Sequence, residues 1–144
     1  MRTINEIIIH CTATRPGWMA DKEVEDVVEE ITRWHTQDRG WSDCGYHFVV
    51  HRNGKIGAAR PEHRPGAHCK GKNSTSLGIS LVGGRSGAAD DTFEDHFEPM
   101  QGATLRWLIA DLKEKYPTIN KVSGHSEFSS KACPCFDVTE WLIG

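Results

Sequence analysis

Residues 124–137 read GHSEFSSKACPCFD, and the rest of the chain can be understood by working outward from this loop. His125 and Cys133 are residue types that bind zinc, which takes neutral imidazole and thiolate ligands in tetrahedral sites. Lys131 precedes Cys133 by two positions, and residues two apart in an extended segment point the same way. A positive charge would therefore stand beside any metal that Cys133 holds.

The further ligand that such a site needs is best supplied by His10, which ends the apolar run at residues 7–9. Three protein ligands with an open fourth position are typical of catalytic zinc, whose bound water reaches a pKa of roughly 7. The long gap between His10 and His125 matches no local zinc-finger spacing. Spacing alone therefore leaves open a second interpretation, with His10 at the core edge, His125 on the surface and Cys133 an inert buried thiol.

Around this loop, the hydrophobic pattern alternates between strand and helix periods. Strands are predicted at 6–11, 77–82 and 119–125, and helices at 22–38, 99–115 and 137–142. A hairpin is predicted at 45–60, with a two-residue Asn53-Gly54 turn and a return strand at 55–60. Loops are predicted at 12–20, 61–75 and 85–98. This order predicts an α/β fold in which helices cover a central mixed sheet.

Composition limits the classes of function. A chain of 144 residues predicts one domain over residues 1–144. A net charge of −3 argues against a broad electrostatic grip on nucleic acid. Five cysteines favour reduced thiols over a disulfide framework, which suggests synthesis in the cytosol. We expect no signal peptide and no membrane span, because the apolar run near the N-terminus is too short for either.

Four motifs follow one another along the chain: IIIHCTAT at 7–14, WSDCGYHFVV at 41–50, GAHCKGKNSTSLGISLVGG at 66–84, and the loop at 124–137. In these motifs the chain resembles the type 2 N-acetylmuramoyl-L-alanine amidases, most closely the short phage lysozymes, which are also similar to peptidoglycan recognition proteins. The resemblance implies a single α/β domain, a mixed sheet flanked by helices, and one zinc ion in a surface groove. It also implies cleavage of the amide between N-acetylmuramic acid and L-alanine of the stem peptide.

Residue by residue, the resemblance gives His10, His125 and Cys133 as metal ligands and Tyr46 and Lys131 as active-site residues. Lys131, protonated at its usual pKa of about 10.4, can stabilise the oxyanion formed when the carbonyl is attacked. Tyr46, with a phenol pKa of about 10, is a poor base at neutral pH, so we expect it to orient groups or shuttle a proton. The plainer interpretations are strand packing for Tyr46 and a solvated side chain for Lys131.

Five other positions carry expectations that the structure can address. His68 matches the loop histidine of the family motif, and we expect it to line the groove and bind substrate. Cys135 stands where relatives usually carry a small residue, and its thiol could compete with Cys133 for zinc or oxidise with it. His35 lies on an apolar helical stripe and is expected to be a core histidine, whereas His47 and His51 are expected on the surface.

The favoured function is a phage or prophage endolysin that is made in the host cytoplasm and acts on the cell wall after release. Its expected partners are peptidoglycan or muropeptides, and it is expected to be a monomer. A non-catalytic peptidoglycan-binding module is the main competing hypothesis, although family members that only bind typically lose the cysteine ligand. Three further hypotheses are a muropeptide-recycling enzyme, a binding partner of a phage RNA polymerase, and a thiol redox protein.

Overall fold

The interior strand β1 (Glu6–Cys11) organises the sheet of the computed structural model, which describes residues 2–144. The other strands are β2 (Phe48–Val50), β3 (Ile56–Ala58), β4 (Ser76–Leu81) and β5 (Lys121–Gly124). Their order is β3-β2-β4-β1-β5, and only β2 and β3 pair antiparallel. Because β1 is parallel to both neighbours, all six of its residues are buried, which explains its nearly unbroken apolar run. The prediction of a mixed sheet is confirmed.

The β2–β3 hairpin turns differently from the prediction. The His51 N–H donates to the Lys55 carbonyl at 2.9 Å, so the loop comprises the three residues 52–54 and not the predicted two. Gly54 closes the loop with φ +84°, the left-handed conformation that three-residue hairpin loops require. The return strand is also shorter than the predicted 55–60.

Four helices accompany the sheet, and one of them was not predicted. They are α1 (Val24–Arg33), continued by a π-helical turn at Trp34–Asp38, then α2 (Phe93–His96), α3 (Pro99–Lys115) and α4 (Val138–Ile143). Helix α2 lies inside the predicted loop 85–98, and its first turn is held by the Thr92 N–H, which donates to Asp95 Oδ2 at 2.9 Å. Between residues 2 and 144, no helix has the length and apolar character needed to cross a bilayer.

The two faces of the sheet are covered differently. Helix α3 packs its buried side chains Leu105, Leu108, Ile109 and Leu112 on an apolar face formed by Ile7, Ile9, Leu77, Ile79 and Leu81. On the other face, α1 lies over β2 and β3. The part of that face formed by β1, β4 and β5 carries polar side chains instead, namely Glu6, His10, Ser76, Ser80 and Ser123. The candidate site is built on this polar face.

Candidate functional site

His10, His125 and Cys133 converge at the carboxyl ends of two adjacent parallel strands. His10 is the penultimate residue of β1, and His125 directly follows β5. One ligand atom from each of the three side chains lies within 4.8 Å of the other two, and among residues 2–144 this is the one such group. The structure therefore brings together the three predicted ligands from distant parts of the sequence.

Hydrogen bonds from Cys11 fix the sulfur of Cys133. The backbone N–H of Cys11 donates to Cys133 Sγ at 3.1 Å. The pKa of Cys133 is lowered, chiefly by a hydrogen bond from the Cys11 side chain, with the backbone N–H of Cys11 and the charge of Lys131 acting in the same direction. Donating that bond in turn raises the pKa of Cys11, which is also buried. Cys133 is thus the more acidic thiol of the pair, and it is the thiolate form of cysteine that binds metals.

Cys135 is not one of the three residues of the cluster. It is 2% exposed, and its Sγ donates to the Gly84 carbonyl at 3.4 Å. Burial, followed by the influence of Cys11, raises the pKa of Cys135 to about 12, so its thiol stays protonated. The geometry favours Cys133 over Cys135 as the ligand.

Both histidines of the cluster are held in the neutral form. Burial keeps the pKa of His10 well below its usual range, and the nearby His68 and His125 lower it further. The pKa of His125 is lowered by burial and then by the charge of Lys131. Neutral imidazole is the form that coordinates a metal, so the electrostatics prepare both rings for ligation.

Tyr46 stands directly beside His10. The two ring centroids are 5.1 Å apart, and the Tyr46 side chain is half-buried. The Tyr46 carbonyl accepts from the Arg60 N–H at 3.0 Å, and the N–H of the preceding Gly45 donates to His35 Nδ1 at 2.7 Å. Burial, followed by the neighbouring cysteines, raises the pKa of Tyr46, so the phenol keeps its proton at neutral pH. Tyr46 can therefore donate a hydrogen bond at the site but is not prepared to act as a base.

Lys131 is exposed and lies on the same loop as two of the ligands. Its positive charge contributes to lowering the pKa of both His125 and Cys133. An exposed cation on this loop can meet an anionic group that forms next to the ligands.

His68 lies behind His10 and is only 8% exposed. The His10 Nε2 and His68 Nδ1 atoms are 2.8 Å apart, and the His68 Nε2 lies 3.2 Å from Ser76 Oγ. Because both ring nitrogens already have partners within the protein, this arrangement favours a role in supporting His10 over the expected role in lining a groove.

Several expectations about the remaining histidines can be compared with their positions. His35 is a core histidine as predicted, buried and packed against Trp41. The prediction for His47 and His51 was wrong, since both are fully covered and bonded to backbone groups. Residue alternation gave no signal for their burial, because it cannot show that a distant loop covers a strand face.

Ser76 and Ser80 are two polar residues of the site face that were not predicted from the sequence. They alternate with Leu77, Ile79 and Leu81 in β4, and that alternation was a readable signal. Ser80 pairs in register with His10, and its buried Oγ has no hydrogen-bond partner within residues 2–144.

A cavity of about 890 Å³ lies between the loop 124–137 and helices α2 and α4. None of the three ligands lines it. Two of its carboxylates are engaged within the chain, since Asp91 accepts from the Ala88 N–H and Glu127 from the Gly124 N–H. The candidate metal ligands thus lie in the cluster and not in the lining of this cavity.

Comparisons with known proteins agree with this picture. The family described as N-acetylmuramoyl-L-alanine amidase matches residues 1–136. The endolysin of Klebsiella phage KP32 is 41% identical over 138 residues, which cover 95% of this chain and 84% of the relative. The endolysin of Escherichia phage T7 is 40% identical over 137 residues, which cover 94% of this chain and 83% of the relative.

Solved structures show the same fold. The N-acetylmuramoyl-L-alanine amidase LysC from Clostridium intestinale superposes with a TM-score of 0.75 at 27% identity, covering 99% of this chain and 85% of that one. The bumblebee peptidoglycan recognition protein PGRP-SA superposes with a TM-score of 0.78 at 24% identity, covering 100% of this chain and 83% of that one. This second likeness concerns the fold alone.

Proposed function

Because the chain belongs to the N-acetylmuramoyl-L-alanine amidase family, we propose that His10, His125 and Cys133 bind one zinc ion at the site that cleaves the amide between N-acetylmuramic acid and L-alanine in peptidoglycan. The hydrolytic activity follows from family membership. The endolysin character follows from about 40% identity with phage endolysins over nearly the whole chain.

The observation that carries the proposal is the donor set itself. Two imidazoles and a cysteine sulfur whose ligand atoms lie within 4.8 Å of one another form a donor set that suits zinc. When bound there, zinc supplies a Lewis acid that polarises the scissile carbonyl and activates water as the nucleophile.

The side chains around the cluster have complementary roles in this proposal. Lys131 places its positive charge where the carbonyl oxygen becomes an anion, and a group that meets developing charge lowers the barrier without needing to move a proton. Tyr46, whose raised pKa keeps it protonated, donates a hydrogen bond that orients the attacking water or meets the departing amine. Tyr46 is therefore an orienting group and not the general base.

The test compares wild type, Cys133→Ser and the matched control Cys135→Ser. For each protein, zinc content and the release of L-alanine N-termini from purified peptidoglycan are measured. We expect one equivalent of zinc and amide cleavage in wild type and Cys135→Ser, and loss of both in Cys133→Ser. Zinc that stays in Cys133→Ser but leaves Cys135→Ser would move the ligand to Cys135. Zinc without amide cleavage in wild type would instead support a binding module.

The domain organisation, assembly and site of synthesis have tests of their own. We propose that residues 1–144 form one domain and that the protein is a monomer, which cooperative unfolding and sedimentation would test. Synthesis in the host cytoplasm, followed by action on the wall after release, would be tested by fractionating cells before and after lysis. Binding to a phage RNA polymerase stays a prediction that a titration with purified polymerase would test.

A further inference from the structure

His68 occupies a slot that the chain keeps open with two glycines. A Cβ atom on Gly78, in β4, would lie 2.7 Å from His68 Cγ and 2.8 Å from its Cδ2. A Cβ atom on Gly66 would lie 2.7 Å from the same Cδ2. Both distances are too short for any real side chain, so only glycine at these two positions lets the imidazole ring lie against the sheet behind His10.

The backbone of His68 is also fixed. Asn73 Oδ1 accepts hydrogen bonds from the backbone N–H groups of His68 and Cys69, both at 2.9 Å. Gly78 is held in turn by His47, whose Nδ1 accepts the Gly78 N–H at 3.1 Å. The ring of His68 therefore has little freedom to rotate or shift, and its two nitrogens face fixed partners.

The direction of the hydrogen bonds along these partners can be deduced from one end. The Lys72 carbonyl can only accept, so the Ser76 hydroxyl donates its one hydrogen to it, at 2.7 Å. The Ser76 oxygen must then accept from His68 Nε2–H, at 3.2 Å. In a neutral ring this leaves a lone pair on His68 Nδ1, which accepts from His10 Nε2–H at 2.8 Å.

The surroundings of His68 fit a neutral ring. The side chain is 8% exposed, and its two ring nitrogens face His10 and Ser76 and not a carboxylate. A neutral ring carries one hydrogen, and the Ser76 hydroxyl determines which nitrogen holds it.

We propose that His68 is a positioning residue that fixes the tautomer of His10, with the proton on Nε2 and the lone pair on Nδ1 directed to the metal. The inference rests on the proposed zinc site and assigns it a specific ligand atom and a supporting chain of Lys72 carbonyl, Ser76 and His68. Partners that hold the second nitrogen of a metal-bound histidine typically account for 10- to 100-fold of metal affinity. His68 thus acts through His10 and needs no contact with substrate.

The first test uses the metal-free wild-type protein and does not depend on zinc or on activity. Long-range ¹⁵N–¹H correlation spectra distinguish the two neutral tautomers of each histidine. We expect the Nε2–H tautomer for both His10 and His68. An Nδ1–H tautomer at His10 would overturn the inference and leave the amidase function intact, so the two failures can be told apart.

The second test compares His68→Asn with His68→Leu. Asparagine can keep an oxygen near the place of Nδ1 and so accept from His10, whereas leucine fills the slot without an acceptor. We expect zinc affinity within about threefold of wild type for His68→Asn and 10- to 100-fold weaker for His68→Leu, measured by competition with a chelating dye. The tautomer signal of His10 should become mixed in His68→Leu only.

Two controls separate positioning from folding. His63→Leu changes an exposed histidine of the same loop, and it should alter neither the zinc affinity nor the His10 tautomer. Ser76→Ala removes the group that orients His68 and should produce the mixed tautomers without touching either ring. Equal zinc affinity in His68→Asn and His68→Leu would contradict the proposal, and if His68→Leu fails to fold, the wild-type spectrum and Ser76→Ala still decide it.

Discussion

The two faces of the central sheet are equally buried and have opposite chemistry. The face under α3 is apolar, with Ile7, Ile9, Leu77, Ile79 and Leu81 all fully covered. The face that carries the site is built from Glu6, His10, Ser76, Ser80 and Ser123, which are covered almost as completely. The same strands supply both sets, because successive side chains of a strand point to opposite sides. Burial alone therefore does not distinguish a stabilising surface from a functional one.

What distinguishes the two faces is how each one compensates for burial. Apolar side chains gain about 25 cal/mol for each Å² that leaves water, with no need for particular partners. The polar face must satisfy each group individually: the Ser123 hydroxyl donates to Glu6 Oε2 at 2.6 Å, and Ser76 donates to the Lys72 carbonyl. The first face tolerates some repacking, whereas the second depends on fixed directions and distances.

The largest expected effect comes from removing the charge of Lys131 beside the candidate site, which leaves the buried side chains on both faces of the sheet in place. Lys131→Ala should lower kcat about 10²- to 10³-fold, because the developing oxyanion loses its cationic partner. Zinc content and unfolding free energy should stay as in wild type, since Lys131 is exposed. Amide cleavage and urea unfolding are measured in parallel. Lys113→Ala, which removes an exposed lysine from α3, is the matched control and should change neither. A Lys131→Ala variant with full kcat would leave Lys131 as a solvated surface residue.

The converse change removes a buried side chain from the apolar core under α3 and leaves the residues of the candidate site unchanged. Leu105→Ala removes a fully buried side chain from α3 and should lower the unfolding free energy by about 3 kcal/mol. At low temperature, where the variant is still folded, one equivalent of zinc should remain bound. Trp107→Ala, on the exposed side of the same helix, should change the unfolding free energy by less than about 0.5 kcal/mol. Loss of zinc in folded Leu105→Ala would mean that the two faces are coupled.

The effect that is smallest near neutral pH concerns how buried histidines on the polar side of the sheet respond to acid. Burial is the main cause that lowers the pKa of both His35 and His47 to about 4, against about 6.5 in an unfolded chain. The unfolded state therefore binds more protons between these values. The stability from each histidine is complete above pH 6.5 and is lost as pH falls toward 4, at up to about 1.4 kcal/mol per pH unit.

A conservative variant isolates one of these two contributions. His35→Asn keeps an acceptor for the Gly45 N–H and does not titrate. The slope of the variant's unfolding free energy against pH should therefore be smaller than that of wild type, by the contribution of about one titrating proton. Urea unfolding of the metal-free protein between pH 5 and 7 measures the slope. His63→Asn, at an exposed position, should keep the wild-type slope. An unchanged slope in His35→Asn would show that His35 binds protons equally in the folded and unfolded states.

Secondary structure could be predicted where neighbouring residues in the sequence determine it. The apolar run at residues 7–9 predicted β1, and Pro99 predicted the start of α3, since proline suits the first helical turn. The π-helical turn continued the helical stripe that was predicted to residue 38. By contrast, the turn of the hairpin and the short helix α2 depend on backbone details that a hydrophobic pattern does not contain.

The candidate site also contains residues that the sequence predicted and residues whose place it could not predict. The ligand types and their motifs pointed to His10, His125 and Cys133, and parallel pairing of β1 with β5 brought two of them together. The place of His68 behind His10 could not be predicted, because it depends on a slot that exists only where two strands and a loop meet. The same applies to His47 and His51, whose burial depends on segments far away in the sequence.

Pairing of β1 with β5 also has a consequence for how the protein is made. Ile9 lies opposite Gly124, so β1 can pair with β5 only after the intervening residues have been translated. Contacts of such long sequence separation form slowly. His10 is therefore kept apart from His125 and Cys133 until translation has reached those two residues, and the proposed zinc site can form only then.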